Sequence, residues 1–328
     1  MHKTFLLFCC LVFGTARICC TVSAAERKIV CSYYDLTDNS GAALTDTRLT
    51  TAAEQIKNSE ADVVVLAGMD NETSLHNLIS KLTGFIFSSM VNAEDKSSHL
   101  ALISKIKPKK FEALRDITYS IKKDVRLPVR HGFIYAVFNI DGYTLHLFGA
   151  CLKDRTGHPL YSQYDMRRYE ARELRKLITA LIKKEKYPNV LLLAGLNDTC
   201  GKSPVKDIYN RRFGIEKRLF DLRPVDSINV SWTALDELRD EYERIDYAIV
   251  SSGLIPEVDL DETMIIEHAD WRAASSHRPL IVTVKCTEQP LWTKEKLDNK
   301  FPHTIRNPGY NIGQKRKRGT PVNSNKLP

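Results

Sequence analysis

NVLLLAGLNDT, residues Asn189–Thr199, is the stretch that decides the fold. Its first part, Val190–Leu193, is continuously apolar, and a short run of this kind closed by turn-forming residues is typical of a strand buried on both faces. The small pair Ala194-Gly195 then leads into a polar corner. In α/β proteins the carboxyl ends of strands commonly carry the chemistry. Taken alone, such a stretch more often marks an ordinary core strand than a functional site, so a functional interpretation needs support from other segments.

Length and composition indicate a globular protein. The chain has 328 residues, of which 43% are hydrophobic and 27% are charged, as is typical of folded soluble domains. This length allows one large or two ordinary domains with a sizeable core. Because no linker or repeat divides the body of the chain, we expect residues 26–286 to form one domain.

Residues 1–25 have the pattern of a secretory signal peptide. Lys3 precedes the apolar block Phe5–Gly14, and the small residues Val22–Ala25 follow it. The block is shorter than the roughly 20 apolar residues of a transmembrane helix, and no later segment reaches that length. The sequence therefore predicts an exported protein, periplasmic, extracellular or lumenal, with membrane retention through residues 5–22 as the weaker alternative.

The positive charge of the chain is concentrated at its C-terminus. The formal net charge is +8, yet residues 26–286 are close to neutral, and the excess lies in residues 287–328 with the run Lys315–Arg318. We expect residues 287–328 to form a basic, disordered tail, and the simplest interpretation is that this tail is solvated and binds nothing. A tail of this kind could also bind an anionic polymer or a membrane surface, because Lys and Arg contact phosphates.

The expected mature chain keeps four cysteines, and their spacing matches no metal-binding pattern. They are Cys31, Cys151, Cys200 and Cys286. An exported protein permits disulfides, and four cysteines allow three pairings that the sequence does not rank. A redox pair or nucleophile formed by Cys31 and Cys151 is disfavoured, because no His or Lys adjacent in sequence would lower a thiol pKa.

Strand and helix patterns alternate along the body of the chain. The pair Asp141-Gly142 between two apolar runs predicts a β-hairpin, since both residues tolerate positive φ. Thr51 and Glu54 have the spacing of a capping box and predict a helix start, and residues 165–186 show the apolar stripe of a long amphipathic helix. The predicted strands lie at Arg27–Tyr33, Asp62–Leu66, Leu100–Ile106, Gly132–Ile140, Tyr143–Gly149, Val190–Leu193, Arg244–Ser251 and Pro279–Val284.

Four strand ends occur in an order and context that resemble the endonuclease/exonuclease/phosphatase superfamily of metal-dependent phosphoesterases. These segments are DVVVLAGMDN (Asp62–Asn71), LHLFGACLKDR (Leu145–Arg155), VLLLAGLNDT (Val190–Thr199) and ERIDYAIVS with SSHRP (Glu243–Ser251, Ser275–Pro279). The resemblance covers roughly Lys28 to Cys286. It implies an α+β fold, a four-layer α/β/β/α sandwich of two mixed, largely antiparallel sheets.

The chemistry of the superfamily is Mg²⁺-assisted phosphoester hydrolysis, which needs carboxylates at fixed strand ends. In this chain the matching positions are substituted. By the resemblance, Gly68 stands for a metal-binding Glu, Gly195 for a catalytic Asp, Ser276 for another carboxylate, Cys151 for a His and Tyr34 for an early Asn. No metal ligand set remains, and no cofactor is expected.

A remnant of the superfamily's site is kept, namely Asn197, Asp246 and His277. In the superfamily the Asp that matches Asp246 orients the His that matches His277. The resemblance therefore implies a catalytically degenerate member, a pseudoenzyme or binding module, with a phosphorylated or anionic ligand as one possible partner. A polar pair at strand ends can also persist for structural reasons alone, because a buried Asp needs a partner.

The main alternative is an active phosphodiesterase, phosphatase or nuclease with a rearranged site that uses Mg²⁺ or Mn²⁺. It would use His277 with Asp246, together with Asp70 or Asp198 in place of the missing carboxylates. Along a continuing strand Asp70 would lie about 6.6 Å beyond Gly68, too far for a Mg–O contact of about 2.1 Å. Asp198 would point to the opposite face from Gly195. Losing a general base alone costs a factor of about 10²–10⁴ in rate.

Overall fold

The computed structural model describes residues 27–37, 43–92, 98–209, 214–236 and 239–302. The six helices are α1 (Asp46–Asn58), α2 (Glu72–Ser80), α3 (Gln163–Lys184), α4 (Ser203–Tyr209), α5 (Trp271–Ala274) and α6 (Lys294–Lys300) within these ranges. The strands there are β1 (Lys28–Asp35), β2 (Val63–Met69), β3 (Phe87–Val91), β4 (His99–Ser104), β5 (Lys110–Leu114), β6 (Thr118–Lys122), β7 (Val125–Pro128), β8 (Phe133–Ile140), β9 (Tyr143–Cys151), β10 (Val190–Gly195), β11 (Leu219–Asp221), β12 (Ala234–Asp236), β13 (Glu241–Glu243), β14 (Asp246–Ser251), β15 (Val258–Asp259) and β16 (Leu280–Lys285).

The strands form two six-stranded mixed sheets and two small hairpins. The first large sheet has the order β15-β16-β1-β2-β4-β3, and the second has the order β11-β14-β10-β9-β8-β5. Among the strands named above, β1–β2 and β9–β10 are the parallel pairs, and helices α1 and α3 provide the crossovers that parallel neighbours require. The other pairings are antiparallel, including the predicted hairpin β8–β9, whose turn residues Asp141 and Gly142 both have positive φ.

Three apolar clusters separate four layers of structure. One lies between the two sheets and contains Val65 of the first and Leu147 and Leu193 of the second. A second cluster packs α3 and α4 against the outer face of the second sheet, for example through Leu174. The third packs α1 and α2 against the first sheet, for example through Leu75. The predicted α/β/β/α sandwich is confirmed.

The stretch that begins at Asn189 forms the central strand β10 and its exit. β10 runs parallel to β9 and antiparallel to β14, and its six residues are fully buried. The register places Gly195 opposite Cys151 on one side and opposite Asp246 on the other. Three segments of the superfamily resemblance therefore meet at one end of the second sheet.

The ordered body of the chain extends past the expected boundary at Cys286. Residues 287–302 include α6, whose N-cap Thr293 accepts a hydrogen bond from the Lys296 backbone N–H at 3.3 Å. Leu297 and Phe301 are buried in the cluster between the sheets, and the Phe301 ring lies 5.6 Å from that of Phe220. This apolar burial explains why residues 287–302 fold onto the domain. The predicted signal peptide and the basic run Lys315–Arg318 lie outside the described residues.

In the part of the chain that the structure describes, no helix is both long enough and apolar enough to cross a bilayer.

Candidate functional site

A cavity of about 590 Å³ opens at the edge of the sandwich where β1, β2, β9 and β10 end. Strand β1 brings Asp35 into it, the end of β2 brings Gly68 and Asp70, and β9 brings Cys151. Other elements contribute polar side chains to the same wall. These are Arg130, Asp154, Arg155, Asn197, Asp236, Glu243, Ser276 and His277. The cavity therefore collects most of the positions that the sequence singled out.

His277 lines this cavity and forms an ion pair with the buried Asp246. The His277 Nδ1 lies 2.8 Å from the Asp246 Oδ2, and the Ser275 hydroxyl accepts a hydrogen bond from the His277 backbone N–H. Burial alone would lower the pKa of His277, but the charges of Asp246 and Asp35 raise it to about 9. The imidazole is therefore protonated at neutral pH, and its Nε2 makes no hydrogen bond to a described residue.

Asn197 lies at the cavity wall with its amide already committed. Its φ of +53° places it in the left-handed region, which Asn tolerates better than most residues. The Asn197 Nδ2 donates a hydrogen bond of 2.6 Å to the Leu152 carbonyl oxygen and lies 3.7 Å from the Cys151 sulfur. Asn197 thus fastens the end of β10 to the end of β9.

Gly195 has no room for a side chain. A Cβ added there would lie 2.5 Å from the Tyr33 hydroxyl oxygen and 3.2 Å from the Asp246 Oδ1. The first distance is shorter than Cβ contacts in proteins allow. The Tyr33 hydroxyl therefore occupies the space into which the side chain of residue 195 would extend.

Gly68 is restricted in a different way. Its φ is +75°, and an added Cβ would lie 2.7 Å from the Thr37 backbone nitrogen and 3.0 Å from the Leu36 carbonyl carbon. The pairing of β2 with β4 also shifts register between Leu66 and Met69. A side chain at this position would require the backbone of the neighbouring segment to move.

The remaining substituted positions fall into different environments. Tyr34 lies on the outer face of β1, in the cluster packed against α1 and α2, and does not line the cavity. Ser276 does line it, and its hydroxyl donates to the Thr37 carbonyl oxygen at 3.3 Å. Cys151 also lines it, but burial raises the pKa of its thiol well above the ordinary value. Burial raises the pKa of the Cys31 thiol as well, so neither is a ready nucleophile.

Asp35 is the site residue that the sequence reasoning missed. Its Oδ1 accepts hydrogen bonds from the Thr37 backbone N–H and hydroxyl at 3.0 and 2.7 Å. Its Oδ2 has only long contacts, 3.5 Å to the Tyr33 hydroxyl and 3.9 Å to the Cys151 sulfur. The alternation of a strand could have found it, because Tyr33 and Asp35 share the face opposite to Tyr34.

The two carboxylates proposed as replacements lie apart. Asp70 lines the cavity, and its Oδ2 accepts a hydrogen bond of 2.7 Å from the Leu44 backbone N–H. Asp198 is buried in an ion pair with Arg167 at 3.2 Å and does not line the cavity. Only Asp70 is available to a ligand.

Helix α3 holds two loops of the cavity wall in place. The buried Glu170 carboxylate accepts hydrogen bonds from the backbone N–H groups of Arg130 and Lys153, at 2.9 and 2.6 Å. One turn earlier, the Arg167 guanidinium donates to the carbonyl oxygens of Lys153 and Asp154. Burial raises the pKa of Glu170 to about 7, although these backbone donors favour its ionised form.

Many solved structures are similar to this chain. An endonuclease/exonuclease/phosphatase from Bacteroides vulgatus is 17% identical, with a TM-score of 0.56 over 80% of this chain and 100% of that one. A mutant beta toxin from Staphylococcus aureus with bound magnesium ions is 13% identical, with a TM-score of 0.55 over 79% and 100%. A mannosyl-6-phosphatase from Bacteroides thetaiotaomicron is 17% identical, with a TM-score of 0.52 over 77% and 98%.

The chain has the endonuclease/exonuclease/phosphatase fold. No protein-family model and no curated protein matches its sequence. At identities of 13–17% the structural similarity establishes the fold alone.

The donor set in the cavity does not fit the Mg²⁺ that this fold implies. Ligand atoms of Asp35, Asp246 and His277 lie within 4.8 Å of one another and form a possible cation cluster. Mg²⁺ demands near-octahedral oxygen coordination. Of the two carboxylates, that of Asp246 is bonded to a protonated imidazole, and Gly68 and Gly195 offer no side-chain oxygen. No mechanistic step through Mg²⁺ follows from these residues.

Proposed function

We propose that this protein is an exported binding protein that keeps the endonuclease/exonuclease/phosphatase fold and its cavity but does not hydrolyse phosphoesters. The observation that carries the proposal is the filling of the site at Gly195. The Tyr33 hydroxyl lies where a carboxylate at residue 195 would begin. Residue 195 thus lacks the acidic side chain, and the Tyr33 hydroxyl occupies the space that this side chain would need.

A second, independent obstacle lies at Gly68. Backbone atoms of Leu36 and Thr37 approach it so closely that a Glu there would collide. Hydrolysis by the family's route needs a metal that stabilises the developing charge and a base that activates water. Base loss alone costs a factor of about 10²–10⁴, and the lost metal removes a further contribution, so turnover should be undetectable.

The test is hydrolysis by the purified protein that begins at Glu26. It is assayed with Mg²⁺ and with Mn²⁺ on DNA, bis-p-nitrophenyl phosphate and phospholipid head groups. The expected rate equals that of buffer and of the His277→Ala variant. Turnover that His277→Ala abolishes would refute the proposal. The N-terminal sequence of the exported protein, expected to begin near Glu26, tests the signal peptide separately.

One observation favours a second candidate, an active hydrolase with a rearranged site. Asp35, Asp246 and His277 cluster closely enough to surround a cation after a small rearrangement. Isothermal titration calorimetry with Mn²⁺ separates the two proposals. Micromolar Mn²⁺ binding that is lost in Asp35→Asn would support the active hydrolase. Absence of Mn²⁺ binding would support the proposal of a binding protein without hydrolytic activity.

A further inference from the structure

We propose that the cavity binds a small organic cation that carries primary ammonium groups, such as an aliphatic polyamine. This inference rests on the proposed function, because it assumes that no metal ion completes the site. It reverses the charge preference that the fold would suggest, since phosphoesterases bind anions. The argument comes from which charged groups at the cavity are already paired.

The arginines and the imidazolium at the cavity are each held by a carboxylate. The pairs are Arg155–Glu243, Arg130–Asp154 at 3.8 Å and His277–Asp246 at 2.8 Å. Arg155 and His277 are largely neutralised in this way as anchors for a phosphate, whereas Arg130 shares Asp154 with the buried Lys153 ammonium. A phosphate would therefore have to break an ion pair to obtain the full positive charge of Arg155 or His277.

Two carboxylates at the cavity have no comparable partner. Asp70 accepts one backbone hydrogen bond, from Leu44, and forms no ion pair with a described residue. Asp35 lies near His277, but the imidazole Nδ1 is bonded to Asp246. One imidazolium thus faces two carboxylates, and the wall formed by Asp35 and Asp70 keeps an excess of negative charge. A cleft of one sign concentrates counter-ions of the other.

Carboxylate oxygens of Asp35 and Asp70 lack good hydrogen-bond donors, which favours a cation with N–H groups over one without them. The Asp35 Oδ2 is buried and has only contacts of 3.5 and 3.9 Å, and a buried polar atom without a good hydrogen bond is costly. The Asp70 Oδ1 makes no hydrogen bond to a described residue. An ammonium group supplies three donors, and its bonds to carboxylates are charge-assisted and strong.

The experiment is calorimetric titration of the protein that begins at Glu26 with spermidine, inorganic phosphate and tetramethylammonium. We expect saturable binding of spermidine and no detectable binding of phosphate. Tetramethylammonium carries the charge without N–H donors and should bind at least about tenfold more weakly. The protein that begins at Glu26 lacks Lys3 and Arg17, so its formal charge is +6 (the full chain's +8 less two). General attraction of polyamines is therefore disfavoured, and binding reports on the local site.

The variants Asp35→Asn and Asp70→Asn should each weaken spermidine binding at least about tenfold. Both keep an oxygen for the backbone N–H that the native side chain binds, and circular dichroism checks that they fold. Glu54→Gln is the control, because Glu54 is exposed on α1 and does not line the cavity. It should bind spermidine like the wild type.

The outcomes separate this inference from the proposed function. Phosphate binding tighter than spermidine binding overturns the inference, as does a loss of affinity in Glu54→Gln equal to that in Asp35→Asn. Absence of both spermidine binding and hydrolysis overturns the inference and leaves the proposed function standing. Hydrolysis in the phosphoester assay overturns the proposed function itself.

Discussion

The close contact between Gly195 and Tyr33 makes a quantitative prediction about stability. In Gly195→Ala the new methyl carbon would lie 2.5 Å from the Tyr33 hydroxyl oxygen. Tyr33 is buried between the sheets, and its strand β1 is paired on both sides. Because its side chain is fully buried, the ring can move away only if its neighbours move as well. Overpacking of this kind costs about 1–3 kcal/mol of unfolding free energy.

Removal of the hydroxyl should relieve this cost. In Tyr33→Phe the nearest remaining atom of residue 33 would be the Cζ, at 3.5 Å, an ordinary van der Waals distance. The 3.2 Å approach to the Asp246 Oδ1 remains, so some cost persists. Tyr33→Phe alone should cost about 0.5–1.5 kcal/mol or less, since its hydrogen bond to Asp35 is long. The double variant should therefore be more stable than the two single costs predict, with a coupling of about 1–2 kcal/mol.

Urea unfolding of the four proteins, followed by tryptophan fluorescence and circular dichroism, measures this coupling. A matched control is Gly157→Ala, because no atom lies within 4 Å of a Cβ at that position. Its cost should be small and independent of Tyr33→Phe. If Gly195→Ala and Tyr33→Phe add within about 0.5 kcal/mol, the hydroxyl does not fill the side-chain space of residue 195. The main support for the proposed function is then lost.

Three further predictions test other parts of the structure. The His277 ring should titrate by NMR with a pKa of about 9. In Asp246→Asn this pKa should fall, because the main negative partner of the imidazole is gone. The contribution of the His277–Asp246 pair to stability should be present below about pH 6.5 and should be lost as the pH rises through 9. Burial raises the pKa of Glu170 to about 7, so the unfolding free energy should fall as the pH rises from about 4.5 to 7. Glu170→Gln should remove this pH dependence. The variant should still be less stable at every pH, because the amide that replaces the carboxylate can accept only one of the two backbone hydrogen bonds. Phe301→Ala should cost about 3–5 kcal/mol in urea unfolding, because Phe301 is buried in the core, whereas the exposed Lys300→Ala should cost less than about 0.5 kcal/mol.

Much of the fold was predictable because its strongest local signals are also its central elements. The apolar run at Val190–Leu193 is the middle strand of a sheet, and Asp141-Gly142 forms the predicted hairpin turn. Helix α1 shows the opposite case. Its start was predicted at Thr51 from a capping box, but the structure places the N-cap at Thr45, whose hydroxyl accepts from the Arg48 backbone N–H. A capping pattern inside a helix is indistinguishable from one at its end when both residues tolerate helical conformation.

The candidate site was predictable only in part, because side-chain direction depends on register. The pairing of Asp246 with His277 could be expected from the resemblance, and the structure brings them together. Asp35 was missed because the resemblance placed Tyr34 at the site, and a shift of one residue along a strand moves the side chain to the opposite face. The filling of the Gly195 space by Tyr33 is a contact between two sheets. No local sequence pattern encodes such a contact.

The persistence of the Asp246–His277 pair has an explanation that needs no catalysis. The Thr233 hydroxyl accepts hydrogen bonds from the backbone N–H groups of Ile245 and Asp246, and residue 277 forms a β-bridge with Ala234. The pair thus joins the segment before β16 to the start of β14. Breaking a buried ion pair by removing one partner is strongly destabilising. These contacts stabilise the fold whether or not carboxylates that bind a metal are present. A protein of this fold without hydrolytic activity would therefore still keep the Asp246–His277 pair.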